Sequence, residues 1–228
     1  MVNPTLDFQQ IETTLGRLDV VVFGPGIGRN KQMLVPLLEK VLEYVHETPN
    51  ICLVIDADGI FLLGDCLSSI KKCKNAIVTP NHREFERLYQ QVFGRNEIIN
   101  NTNQQNIADQ VKKLASHLGI CILRKGDSDI ITDGQQVLIG SQPGTLRRCG
   151  GQGDILSGAT ALFAYWSKLK AGCEEYSTEH ILQGALAASD FIRFTSRLTF
   201  DRIGRSMNAA DIIAQIPDVV RHIDQNIE

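Results

Sequence analysis

Excess positive charge, long apolar runs and ordered cysteine spacings are all missing from this sequence. Lys and Arg number 23 against 26 Asp and Glu, a net charge of -3, so nothing electrostatic favours a nucleic-acid partner. No apolar stretch approaches the ~20 residues that span a bilayer. The N-terminus shows neither a charged n-region nor an h-region. The chain as given therefore reads as cytoplasmic, with no membrane partner. Cys52, Cys66, Cys73, Cys121, Cys149 and Cys173 form no C-x-x-C pair and no metal-type spacing with histidine. Reduced and mostly buried thiols are expected. The absence of G-x-x-x-x-G-K-[ST] excludes a P-loop ATPase. Repeats, low-complexity tracts and linkers are also lacking. Asn100-Asn101-Thr102 is formally a glycosylation sequon, but such triplets are common by chance and matter only in secreted proteins.

With 228 residues and 43% hydrophobic content, the chain can bury one core, and residues 1–228 read as a single domain. Apolar runs alternate with amphipathic ones. Val20–Phe23, Ile51–Ile55, Ala76–Val78 and Ile120–Arg124 read as strands, each ending in glycine or polar residues. Helical spacing covers about Met33–Val45, the residues around Phe85 to Tyr89, Gln104–Leu118, Leu156–Leu169 and Ile181–Phe194. A last helical region starts at Asn208, with Pro217 expected to break it. Ile130–Ile139 reads as a hairpin turning on Asp133-Gly134. The pattern predicts an α/β fold with a largely parallel sheet.

The most informative stretch is Arg147-Arg148-Cys149-Gly150-Gly151-Gln152-Gly153-Asp154, which runs directly into a helical pattern. Closely spaced glycines let backbone N–H groups approach an anion, and the helix directs its positive end to the same point. Asp154 at the mouth is placed to take a proton from a hydroxyl undergoing phosphorylation. The competing reading is a helix N-cap, which would not require a Gly-Gly-x-Gly run. Arg147-Arg148 is the one basic doublet beside a glycine-rich loop, whereas Lys71-Lys72 and Lys112-Lys113 read as solvated faces.

Other polar segments follow strands and could share that rim, because ligands of open α/β sheets bind outside the carboxyl ends of the strands. Gly24-x-Gly26-x-Gly28 fails as a dinucleotide fingerprint, since Arg29 and Asn30 stand where the third glycine is needed. Asn81 and Glu84 lie three apart at a helix start; they suit either a hydrated Mg²⁺ or a reciprocal capping box. His82 reads as a surface residue. Lys125-Gly126-Asp127-Ser128-Asp129 could offer a cation and amides to a nucleotide, or form only a polar connection.

Taken in order, Gly24–Arg29, Val54–Gly59, Thr79–Leu88, Lys125–Asp129 and Arg147–Gly158 resemble the signatures of ATP-dependent (S)-NAD(P)H-hydrate dehydratases, a ribokinase-like family. Gly204-Arg205-Ser206 extends the likeness. The resemblance implies a three-layer α/β/α fold and repair of hydrated NADH or NADPH, with ATP as co-substrate and Mg²⁺ as cofactor. It makes Asp154 the base, with the Gly151 and Gly153 amides stabilising the transferring phosphoryl group. Gly28, Asn81, His82, Arg83, Glu84, Phe85, Glu86, Arg87 and Asp154 would meet the hydrated dinucleotide. Lys125, Gly126, Asp127, Ser128 and Asp129, together with Gly144, Thr145, Leu146, Arg147, Arg148, Cys149, Gly150, Gly151, Gln152 and Gly153, would meet ATP. Asn81 and Glu84 would hold Mg²⁺ directly or through water. Members of the family carry a further region before the segment that Met1-Val2-Asn3-Pro4 resembles. The chain is thus expected to lack two βα units, leaving a strand edge and apolar surface uncovered, with mitochondrial targeting an alternative for a longer form. A ribokinase-like small-molecule kinase and a shortened non-catalytic form are the alternatives, and a homo-oligomer is left open.

Overall fold

Short β-branched runs set the frame. A computed structural model describes residues 7–71, 73–97, 99 and 103–225. In it β1 (Val20–Phe23), β2 (Cys52–Ile55), β3 (Ala76–Val78) and β4 (Cys121–Arg124) pair in parallel in that spatial order. β5 (Ile130–Thr132) and β6 (Val137–Ile139) extend the sheet antiparallel. Successive side chains leave a strand on opposite faces. Leu53, Ile55, Val78 and Ile122 accordingly join one core with α2 (Lys31–Glu47), α3 (Asp58–Leu63), α5 (His82–Phe93) and α6 (Gln104–Leu118). Cys52, Val54, Ile77, Cys121 and Leu123 face α7 (Gln152–Lys170) and α8 (Thr178–Ile203). This is a three-layer α/β/α arrangement. α1 (Phe8–Leu15), α4 (Leu67–Ile70) and α9 (Ala209–Gln225) complete the helices, with a 3₁₀ turn at Gly204–Ser206.

Three expectations need correction. The hairpin exists, but Thr132 pairs with Val137, so four residues make the turn. Asp133 Oδ1 accepts the N–H groups of Gln135 and Gln136 at 2.8 and 3.0 Å, a side-chain-built turn that outcompetes the two-residue alternative. α8 runs to Ile203, nine residues past the expected end. Pro217 does not break α9, and Pro36 likewise lies within α2; both are exposed, so the carbonyl each leaves unpaired can be hydrated. Met1 to Pro4, Lys72 of the lysine doublet and the Asn100-Asn101-Thr102 triplet lie outside the described residues.

Among the described residues β1 has a paired strand on one side only, and Val22 on it is exposed. Beside it α7 presents Leu162, Trp166 and Leu169 to solvent. No helix among the described residues is long and apolar enough to cross a membrane.

Candidate functional site

Two strand ends supply the charges. At the end of β2 the backbone turns at Ala57, which adopts φ 49°, a conformation that costs a residue with a Cβ about 1–3 kcal/mol. The turn sends Asp56 inward, 1% exposed, and leaves Asp58 half-buried. Asp58 secures the glycine loop after β1, accepting from the Gly28 N–H at 3.2 Å and Arg29 Nε at 2.6 Å. Gly24 allows that loop to pass: it sits at φ 126°, and a Cβ there would lie 1.9 Å from the Asp56 carbonyl oxygen. At the end of β4 the Lys125 N–H donates to Pro80 O at 2.8 Å, while Lys125 Nζ donates to Asp56 Oδ1 at 2.7 Å. This ion pair bridges β2 and β4 across the end of β3, where Thr79 Oγ1 is buried without a partner.

α7 starts beside this pair. Its N-cap is Gly151, left-handed at φ 84°, and no side chain caps it. Gln152 N–H reaches Cys149 O and Ile155 N–H reaches Gly151 O. Among the described residues, the N–H groups of Gly153 and Asp154 have no acceptor; these are the donors a helix start offers to an anion. A Cβ at Gly153 would stand 3.3 Å from Lys125 Nζ, so ammonium and amides converge. Asp154 is the third residue of α7 and not its cap; it is exposed and its carboxylate has no partner among the described residues.

α5 begins with a capping box: Glu84 N–H donates to Asn81 Oδ1 at 3.1 Å, and Asn81 N–H to Glu84 Oε2 at 2.8 Å. These bonds engage Asn81 Oδ1 and one Glu84 oxygen, and no group of three or more His, Cys, Asp or Glu among the described residues could hold a metal. The arrangement suits a metal held through water by Glu84 Oε1 better than one ligated directly by Asn81. His82 and Arg83 are exposed, Glu86 is half-buried, and Arg87 lies over the Phe61 ring at 5.6 Å. Phe85 is fully buried against Tyr89; it anchors α5. Beyond its place at a strand end, no local signal in the sequence marks Arg124. It is buried beneath this helix, with Nη2 3.2 Å from His82 Nδ1; burial lowers its pKa, and Asp127, Asp129 and Glu86 oppose that shift.

The Lys125–Asp129 loop is held from below. Arg193 on α8 donates to both Asp129 oxygens, at 2.7 and 3.2 Å, and to the carbonyls of Gly126 and Asp127 at 2.7 and 2.8 Å. Ser189 Oγ and the Gly126 N–H also donate to Asp129, which is thus a buried anchor, while Lys125, Gly126, Asp127 and Ser128 keep some exposure. No local signal marks Arg193 or Ser189, because both fall within an ordinary helical period. Gly144, Leu146, Arg147, Arg148 and Gly150 are exposed, Thr145 and Cys149 half-buried. Arg148 lies 3.7 Å from Asp127, a solvated pair worth little.

Two cavities of about 750 Å³ flank the first turn of α7. The polar one brings Asn81, His82 and Arg83 together with Lys125, Arg148 and Gly153; Gly28, Glu84 and Arg87 do not line it. The apolar one runs between α7 and α9 past Leu162, Trp166, Ile213 and Val220, with Gly151 and Asp154 at its end.

The six-stranded, mostly parallel sheet layered by helices has a ribokinase-like α/β fold. A hypothetical protein from Streptococcus mutans superposes with TM-score 0.75 at 21% identity, over 98% of this chain and 72% of that one. A ribokinase-like superfamily protein from Enterococcus faecalis gives 0.67 at 17%, over 95% and 68%. The chain belongs to the NAD(P)H-hydrate dehydratase family, whose model matches residues 1–218. It is similar to ATP-dependent (S)-NAD(P)H-hydrate dehydratases of Rattus norvegicus (37% identical over 222 residues) and Caenorhabditis elegans (32% over 226). These matches cover 95% and 98% of this chain, which spans 62% of the rat protein and 72% of the nematode one.

Proposed function

We propose that this chain performs ATP-dependent dehydration of the S epimer of hydrated NADH or NADPH, returning the reduced dinucleotide with ADP and phosphate. The observation that carries the proposal is Asp154: an uncommitted carboxylate on the first turn of an uncapped helix whose free amides meet the Lys125 ammonium. The γ-phosphate of ATP rests on the Gly150–Gly153 nest and Lys125, and the Lys125–Asp129 and Gly144–Cys149 loops hold the remainder of the nucleotide. Asp154 takes the proton of the ring hydroxyl as its oxygen bonds to phosphorus and the bond to ADP breaks. The amides of Gly153 and Asp154 stabilise charge on the moving phosphoryl oxygens. The ring nitrogen's electrons then expel phosphate with its C–O bond and loss of a neighbouring ring proton restores the reduced ring. Asn81, His82 and Arg83 face the hydrated dinucleotide from the same polar cavity. Mg²⁺ bound with ATP would supply charge neutralisation, and Glu84 would hold it through water.

Purified chain given hydrated NADH, ATP and Mg²⁺ should restore the near-ultraviolet absorbance of reduced nicotinamide, and Asp154→Asn should slow this by about 10²–10⁴-fold. An unchanged rate in that variant removes Asp154 as the base. A stable phosphorylated product would instead identify a small-molecule kinase.

A further inference from the structure

We propose that Asp56 is a positioning residue for ATP binding: its buried carboxylate holds the Lys125 ammonium over Gly153, so that cation and nest present one preformed phosphate site. This rests on the reading of the nest as the seat of the ATP phosphates. A lysine ammonium is a point charge on a flexible four-carbon stem with three donors. Left to itself it would sample many positions across the cavity mouth. Here one donor is committed to Asp56 Oδ1 at 2.7 Å, and the other two remain for phosphate oxygens.

The two partners differ in access, and that difference assigns their roles. Asp56 is almost wholly buried, whereas the Lys125 side chain keeps 19% of its surface and lines the polar cavity. Lys125 Nζ lies 3.3 Å and Asp56 Oδ2 3.9 Å from the Cβ position of Gly153. Both groups thus lie within 4 Å of that point, the cation the nearer of the two. A carboxylate facing the nest alone would repel phosphate; one masked by an ammonium steers that ammonium instead. The strained turn at Ala57 fixes the direction of Asp56, and the bond from Lys125 N–H to Pro80 O fixes the base of the lysine. Both ends of the pair are thus set by the backbone at the carboxyl ends of β2 and β4.

The test is direct titration of ATP, with and without Mg²⁺, into the full chain and its Asp56→Asn, Lys125→Met and doubly substituted variants, alongside KM for ATP and for hydrated NADH. Asp56→Asn preserves shape and an acceptor for Nζ but removes the charge. ATP affinity should fall roughly tenfold, the loss of one charge-assisted contact, and KM for hydrated NADH should change less than twofold. In the Lys125→Met background the same substitution should cost nothing and should restore part of the affinity, because it removes the unmasked carboxylate. Titration separates this inference from the proposed reaction, because it reads out even if the chain turns nothing over. Unchanged ATP affinity in Asp56→Asn, or an equal penalty with and without Lys125, overturns the proposal. So does a higher Mg²⁺ requirement with unaltered affinity for metal-free ATP, which would place the acid on the metal. Unchanged affinity in Lys125→Met overturns the reading of the nest itself. Should Asp56→Asn fail to fold, Asp56→Glu displaces the ammonium by one methylene and must still weaken ATP.

Discussion

Ala57 is the only non-glycine among the described residues at positive φ, and it separates two acids with different duties. Ala57→Gly relieves the strain at some cost in chain entropy, for a net stabilisation of about 1 kcal/mol, visible as a higher urea midpoint with ATP affinity kept. The cysteines make a second residue-scale case. Burial pushes the Cys52 and Cys66 thiols up to about 12, with Lys168 partly offsetting it for Cys52 and Glu39 and Asp65 adding to it for Cys66. A thiol whose pKa is raised by folding contributes fully below its unfolded value of about 8.5 and loses that contribution as pH climbs toward 12. The urea midpoint should therefore fall from about pH 9 upward, less steeply in Cys52→Ala. In native protein only half-buried Cys149 and exposed Cys173 should alkylate readily. Asp154, Lys125 and the nest were legible because each sits in a short string whose chemistry is local. The partners that set them were not: Asp56 lies 69 residues from Lys125, and Arg193 lies 64 from Asp129. Only the order of strands brings them together.

At the scale of elements, the sheet was readable because β2, β3 and β4 are buried on both faces and are written as apolar runs, broken only by Arg124 at the end of β4. α3 and α4 were not read, being too short to show a helical period. α5 exposes the limit of spacing arguments. Asn81 and Glu84 suited a metal or a cap equally, and the two reciprocal hydrogen bonds at its start are a cap. α7 is the opposite case: an acid in its first turn, no cap, and a left-handed glycine before it. That glycine carries a prediction. Gly151→Ala forces a side chain into φ 84° and sets its Cβ 3.0 Å from Ala209. Stability should drop by about 1–2 kcal/mol, read from the urea midpoint, and ATP affinity should drop with it as the amides lose their aim.

For the molecule as a whole, apolar surface is concentrated along one side. The groove between α7 and α9 is lined by Leu162, Trp166, Ile213, Val220 and Ile223, and the Val20–Phe23 edge lies beside α7. A contiguous patch of this kind is unusual on a soluble monomer. The folded chain should enhance the fluorescence of a hydrophobic dye such as ANS, and Leu162→Ser with Trp166→Ser should remove most of that enhancement without lowering the urea midpoint. The first turn of α7 divides this groove from the polar cavity, with Asp154 facing one side and Gly153 the other. In the proposed reaction the acceptor oxygen displaces ADP from phosphorus directly, with no protein nucleophile between them. One displacement of that kind inverts phosphorus once, so thiophosphate released from an isotopically chiral γ-thio analogue of ATP should carry a single inversion.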